Sequence, residues 1–115
     1  DPRDVIASLM RQKWAPSELS QTIAWYNSVM QTWNQQKHSI NPRFYIEIRL
    51  EDLIENGINV CKKIKNHIGI DVTGCIESMD LSNGNIGRHL KELSSKQIDE
   101  INSSVKSTLE QYGYR

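Results

Sequence analysis

The 115-residue sequence lacks the features that mark several whole classes of protein. Lys and Arg total 14 and Asp and Glu total 14, so the formal net charge is zero. A chain without a basic excess has no long-range field to hold nucleic acid or an anionic membrane surface. No apolar run approaches the roughly 18 residues of a membrane span, and no signal segment opens the chain. We therefore expect no nucleic-acid partner and no membrane span.

Cysteine is scarce, with only Cys61 and Cys75. Cys61 falls on the apolar face of a predicted helix, where a free thiol is common, so we expect two free thiols, and a disulfide between the two remains the alternative. Their spacing matches no redox or zinc motif, and His38, His67 and His89 are scattered along the chain. The sequence therefore predicts no metal site.

The length and composition fit one globular domain over residues 1–115. Hydrophobic residues make up 37% and charged residues 24%, which are ordinary values for such a domain. The chain opens at Asp1-Pro2 without a Met. We expect it to be part of a longer protein.

Apolar residues recur every three or four positions in four segments, and this spacing predicts four helices. A brief fifth helix is expected before the last one. Asp1 is a suitable N-cap for the first helix, and Ser94 begins a capping-box sequence before the last. Gly69 and Gly113 are placed to end the third and the last helix. We interpret Trp25 and Val29 as widening the buried face of the second helix. The predicted helices cover about residues 2–12, 17–40, 51–69, 86–93 and 95–113, and residues 70–87 are expected to be mainly loop.

One segment, residues 43–50, has the period of a strand. Phe44, Ile46, Ile48 and Leu50 alternate there with polar or amphipathic residues. A single strand cannot satisfy its own backbone N–H and C=O groups, so this strand needs partners. Either it pairs between chains, or the chain is the C-terminal part of a larger α/β domain. We expect the second: a mostly helical part of a parallel sheet between helices.

Four segments, in order, resemble the sulfotransferase family. DPRDVIAS (residues 1–8) resembles its 3′-phosphate-binding segment, and IRLEDL (residues 48–53) resembles its strand-to-helix signature. GNIGRHLKELS (residues 84–94) resembles the C-terminal phosphate-binding loop with its helix, and QYGYR (residues 111–115) resembles the usual chain end. The position after Arg88, often Trp in the family, is His89 here. The resemblance spans essentially the whole chain.

The resemblance implies the C-terminal portion of a sulfotransferase domain with a P-loop-like α/β fold. Such enzymes move a sulfonate group from 3′-phosphoadenosine-5′-phosphosulfate (PAPS) to a hydroxyl or amine acceptor. It implies that five residues contact the nucleotide, namely Ser8, Arg3, Gly84, Gly87 and Arg88. The family's phosphosulfate loop and catalytic base lie upstream of the first segment, so we assign no catalytic residue and expect this chain alone to be inactive.

Two alternatives and several properties stay open at this stage. The chain could be a catalytically inactive nucleotide-binding fragment, or a small helical interaction module whose strand pairs across a homodimer. The partners implied are PAPS, its product 3′-phosphoadenosine-5′-phosphate (PAP) and an unidentified acceptor. Cytoplasmic and Golgi members of the family differ mainly at an N-terminus outside this sequence. The compartment and the oligomeric state are therefore undetermined.

Overall fold

The computed structural model describes residues 1–81 and 86–115, and all regular structure in these ranges is helical. The chain divides into two compact units, Asp1–Gln36 with Asn85–Arg115, and Lys37–Gly84. Among the described residues, no helix has both the length and the apolar composition needed to cross a membrane. The α-helices are α1 (Pro2–Leu9), α2 (Leu19–Lys37), α3 (Leu50–Glu55), α4 (Gly57–Ile68), α5 (Thr73–Glu77), α6 (Arg88–Glu92), α7 (Ser95–Ser104) and α8 (Lys106–Tyr112).

The first unit is built around one hydrophobic core. Helices α1, α2, α7 and α8 contribute to it, together with the junction between α7 and α8. Burial of each large aliphatic side chain stabilises the unit by about 1.5–3 kcal/mol. All six of its buried residues lie at positions of the recurring apolar pattern that predicts the helices. The buried core residues are Ile6, Ile23, Tyr26, Ile101, Val105 and Leu109.

The ends of the helices in this unit follow the predicted capping residues. The Asp1 carboxylate accepts a hydrogen bond from the Arg3 backbone N–H at 2.9 Å. The capping box before α7 is complete, because Ser94 Oγ accepts from the Gln97 N–H and Gln97 Oε1 accepts from the Ser94 N–H. Gly113 ends α8 with a left-handed φ of 71°. Local sequence thus determines the starts of α1 and α7 and the end of α8. The predicted helix over residues 95–113 is nevertheless divided at Val105 into α7 and α8.

Trp25 and Val29 were predicted to widen the buried face of α2, and this prediction is wrong. Trp25 is 39% exposed and Val29 is 50% exposed, so neither widens the buried face of α2. Trp25 instead packs edge-to-face against Trp14, with ring centroids 5.9 Å apart. The helix is therefore buried along a narrower stripe than its apolar residues suggest.

The predicted α/β fold with a parallel sheet is also wrong. Helix accounts for 68% of the structure, and the described residues contain no strand and no sheet. The predicted strand over residues 43–50 begins instead as a 3-10 helix, Pro42–Phe44, whose N-cap Asn41 accepts from the Arg43 N–H at 3.1 Å. Tyr45 is extended, and α3 begins at Leu50.

The prediction is wrong because alternation of apolar and polar residues is a property of one segment, whereas a strand also needs a second segment to pair with. An extended segment becomes a strand only if a neighbour accepts and donates its backbone hydrogen bonds, and the described ranges offer no such neighbour. Without a sheet to cover them, Phe44, Ile48 and Leu50 are 71%, 37% and 53% exposed. Their alternation therefore does not translate into one buried face.

The second unit shows a second departure from the expected helices. The predicted helix over residues 51–69 is broken at Asn56, where φ is −136°, and the two parts are α3 and α4. The apolar face predicted for this segment is only partly buried, since Cys61 is 4% exposed and Ile58 is 69% exposed. Gly69 ends α4 with a left-handed φ of 75°, as predicted. The expected loop after it contains the short helix α5.

The prediction of two free thiols is confirmed. Cys61 is buried in α4, and Cys75 is exposed in α5. A buried thiol in this position packs as a small apolar group.

Ser94→Ala is expected to lower the free energy of unfolding by about 1 kcal/mol, because the N–H group of Gln97 loses its acceptor. Urea unfolding followed by circular dichroism measures this change. Ser107→Ala, at an exposed position in α8, is the matched control and should be nearly neutral. Equal stabilities of the two variants would contradict the assigned cap.

Candidate functional site

Helices α1 and α6 are joined through one carboxylate, that of Asp4. Its Oδ2 accepts the Gly87 backbone N–H at 2.8 Å, and its Oδ1 accepts the His89 backbone N–H at 2.8 Å. The His89 imidazole Nδ1 lies 2.6 Å from the same Oδ1. The His89 and Asp4 side chains are 7% and 12% exposed. We call these three residues the Asp4 clamp.

The need for this clamp follows from the sequence before α6. Its N-cap is Gly87, which has a left-handed φ of 73° that favours glycine. Glycine has no side chain to accept the free N–H groups at the start of a helix. Asp4 supplies that acceptor from α1. A residue 83 positions away in sequence thus caps α6.

The hydrogen bonds of the clamp favour the ionised form of Asp4. Burial alone would raise the pKa of this carboxyl group. The hydrogen bonds from the His89 backbone N–H, the His89 side chain and the Gly87 N–H outweigh burial, so the pKa of Asp4 lies below its usual value. The clamp is therefore held by a charged acceptor near neutral pH.

The residue between the two clamped amides, Arg88, lies against Ser8 of α1. The distance from Arg88 Nη1 to Ser8 Oγ is 3.2 Å. Arg88 Nε also lies 3.3 Å from Glu92 Oε1, one turn along α6. Arg11 Nη1 donates to the same Glu92 oxygen at 2.8 Å. Two guanidinium groups thus contact a single carboxylate, and one of them, that of Arg88, also contacts the Ser8 hydroxyl.

A cleft of about 360 Å³ lies in the same unit and shares Arg11 and Glu92 with these ion pairs. Its lining combines apolar side chains with the charged pair and one amide. The lining residues are Ala7, Met10, Arg11, Glu92, Leu93 and Gln97.

The structure brings together some of the five nucleotide-contact residues predicted from the sequence. Ser8 and Arg88 are in contact, and Gly87 directly precedes Arg88. The Arg3 guanidinium donates to the Asp1 carboxylate at 2.6 Å and to the Arg115 carbonyl at 2.9 Å.

A nucleotide contact of Arg3 stays a prediction, and Gly84 lies outside the described residues.

Two backbone N–H groups in the segments predicted to bind phosphate are engaged within the protein. The Arg3 N–H donates to the Asp1 carboxylate, and the Gly87 N–H donates to Asp4. An anion at this position would therefore be held by the side chains of Ser8 and Arg88.

Sequence reasoning missed Asp4, Arg11 and Glu92. The sequence alone does not single out Asp4, because its partners lie 83 and 85 residues away. A signal was available: a helix that begins after glycine needs an acceptor from elsewhere. Arg88 and Glu92 also stand four residues apart, which places them side by side on a helix.

A group of possible metal ligands overlaps the clamp. Ligand atoms of Asp1, Asp4 and His89 all lie within 4.8 Å of one another. A cation bound there would have to replace the hydrogen bond between Asp4 Oδ1 and His89 Nδ1. We interpret these atoms as a hydrogen-bonded network.

No family model matches the chain, and no curated protein or solved structure matches it either.

The stability lost in Asp4→Asn is expected to depend on pH. Because the folded-state pKa of Asp4 is lowered, its stabilising effect is complete above the unfolded value of 3.8 and disappears as pH falls through the folded value. We expect the variant to be less stable by about 1–2 kcal/mol at neutral pH, with a smaller difference towards pH 3.

Urea unfolding at a series of pH values measures this difference. Asp99→Asn, at an exposed position in α7, is the matched control for loss of a carboxylate. A difference between wild type and Asp4→Asn that is the same at pH 3 and pH 7 would show that the carboxylate charge does not hold the clamp.

Proposed function

We propose that this chain carries the 3′-phosphate-binding part of a PAPS-dependent sulfotransferase site. The observation that carries the proposal is the 3.2 Å contact between Arg88 Nη1 and Ser8 Oγ. These residues are 80 positions apart and come from the two segments that resemble the family's 3′-phosphate-binding segments. The proposal concerns these residues and their ligand, and it does not depend on the parallel sheet that was wrongly predicted.

The contact supports phosphate binding through its donors. Arg88 has a planar set of N–H donors that matches phosphate oxygens, and the Ser8 hydroxyl can turn to donate beside it. The Arg88 side chain is 17% exposed, so its charge is only partly screened by water. Each hydrogen bond to a charged phosphate oxygen contributes about 1.5–3 kcal/mol.

Glu92 makes the site selective for a ligand with concentrated negative charge. In the free chain its carboxylate contacts Arg88 at 3.3 Å and Arg11 at 2.8 Å. A phosphate must compete with this carboxylate for Arg88, so a weakly charged ligand gains little. A phosphate dianion offers more charge and more acceptor oxygens than the carboxylate it displaces.

The group that Ser8 and Arg88 recognise would be the 3′-phosphate shared by PAPS and PAP. Adenosine 5′-monophosphate (AMP) lacks it and serves as the reference ligand. In the complete reaction the sulfonate passes to a hydroxyl or amine acceptor while the 3′-phosphate remains bound and unchanged. We assign these residues to nucleotide binding, and no residue here to the transfer step.

One observation favours the alternative of a helical interaction module. Trp14 is 70% exposed, and it packs on Trp25, which stands one helical turn from the half-exposed Val29. Exposed aromatic residues of this kind are common in protein interfaces. Such a module should bind PAP and AMP equally, which separates the two functions.

Ser8→Ala is expected to weaken PAP binding about tenfold or more, because one donor to the 3′-phosphate is lost. Isothermal titration calorimetry with PAP and with AMP measures the preference of the wild-type chain and of the variant. Ser107→Ala is the control and should retain the wild-type preference. A wild-type chain that binds PAP no better than AMP, or an unchanged preference in Ser8→Ala, would refute the proposal.

Glu92→Gln is expected to strengthen PAP binding several-fold, by about 1 kcal/mol, because the competing carboxylate charge is removed from Arg11 and Arg88. Glu100→Gln, an exposed position in α7, is the control for net charge. Calorimetry at two salt concentrations separates two effects: competition between the Glu92 carboxylate and the phosphate for the arginines, and the general attraction of a less negative chain for the ligand. Weaker PAP binding in Glu92→Gln would mean that Glu92 positions Arg88 for the ligand and does not compete with it.

A further inference from the structure

The interaction that fixes the backbone of Arg88 is the Asp4 clamp. Asp4 accepts the N–H of Gly87 and the N–H of His89, each at 2.8 Å. These are the two residues on either side of Arg88. Their hydrogen bonds hold the first turn of α6 against α1, which also carries Ser8.

We propose that Asp4 is a positioning residue of the nucleotide site, which acts through Arg88 by fixing the backbone on both sides of it. This inference rests on the proposed function. Asp4 and Ser8 are four residues apart on α1, one helical turn, so they lie on the same face. One carboxylate therefore sets the position of Arg88 relative to its Ser8 partner on the same helix face.

The His89 side chain adds a third contact to the Asp4 carboxylate. Its Nδ1 lies 2.6 Å from Asp4 Oδ1, and its ring is buried. The Asp4 carboxylate thus contacts three groups and has little freedom to rotate. Asparagine at this position keeps a similar shape but offers only one acceptor oxygen, and its amide NH₂ would face one of the backbone donors. The substitution therefore removes the bridging contact while it changes the volume very little.

A double-mutant cycle separates positioning through Arg88 from a general effect on folding. The four proteins are the full 115-residue chain, Asp4→Asn, Arg88→Gln and the double variant. The measured quantity is the ratio of the AMP dissociation constant to the PAP dissociation constant. We expect Asp4→Asn to lower this ratio about tenfold in the wild-type background and less than about twofold in the Arg88→Gln background.

The controls keep the result interpretable. Asp99→Asn, which removes a carboxylate from an exposed position, should leave the ratio unchanged. Circular dichroism establishes that each variant is folded. If Asp4→Asn is unfolded, Asp4→Glu replaces it in the same cycle, because it keeps the charge and shifts the carboxylate by one methylene group. For Asp4→Glu we expect the ratio of dissociation constants to fall about threefold when Arg88 is present, with little change in the Arg88→Gln background.

The outcomes distinguish this inference from the proposed function. A wild-type chain with no preference for PAP over AMP overturns both. A wild-type preference that is kept in a folded Asp4 variant overturns the positioning role alone. An equal loss with and without Arg88 also overturns it, because the effect would then not pass through that residue. A preference for PAP that falls in the Asp4 variant only when Arg88 is present supports the positioning role.

Discussion

The carboxylate of Asp4 is the contact on which the candidate site depends. It links α1 to the first turn of α6, a helix of five residues that begins after glycine and has no cap of its own. A helix this short has little stability of its own in water. Its position comes from tertiary contacts, which include these charge-assisted hydrogen bonds. Arg88 can meet Ser8 because this link holds the first turn in place.

The same link explains how charge is arranged at the site. Asp4 uses the backbone donors of Gly87 and His89, so the positive groups left for a ligand are side chains. Arg88 and Arg11 share Glu92, which balances part of their charge in the free chain. Under the proposed function, the ligand would therefore be held by side chains whose charge is partly balanced in the free chain. Such groups would favour a compact, highly charged ligand such as a phosphate over a diffuse anion.

The features that could be predicted from the sequence are those that depend on neighbouring residues. Asp1, Ser94 and Gly113 mark the ends of helices because capping involves residues only a few positions apart. The core positions in the first unit follow from helical periodicity. The strand over residues 43–50 was predicted wrongly, because its alternation says nothing about whether a partner strand exists. Ser8 and Arg88 are candidates that the resemblance supplied, whereas Asp4 was missed because its partners lie more than 80 residues away.

The most direct test of the account is an NMR titration that follows the side-chain Nε–H resonance of Arg88. This group contacts Glu92 at 3.3 Å in the free chain, so displacement of that carboxylate by a phosphate changes its surroundings. We predict that PAP shifts the Arg88 resonance together with the backbone amide of Ser8, and that AMP at the same concentration leaves both nearly unchanged. Equal shifts with both nucleotides, or shifts confined to residues of the second unit, would contradict phosphate recognition by Ser8 and Arg88.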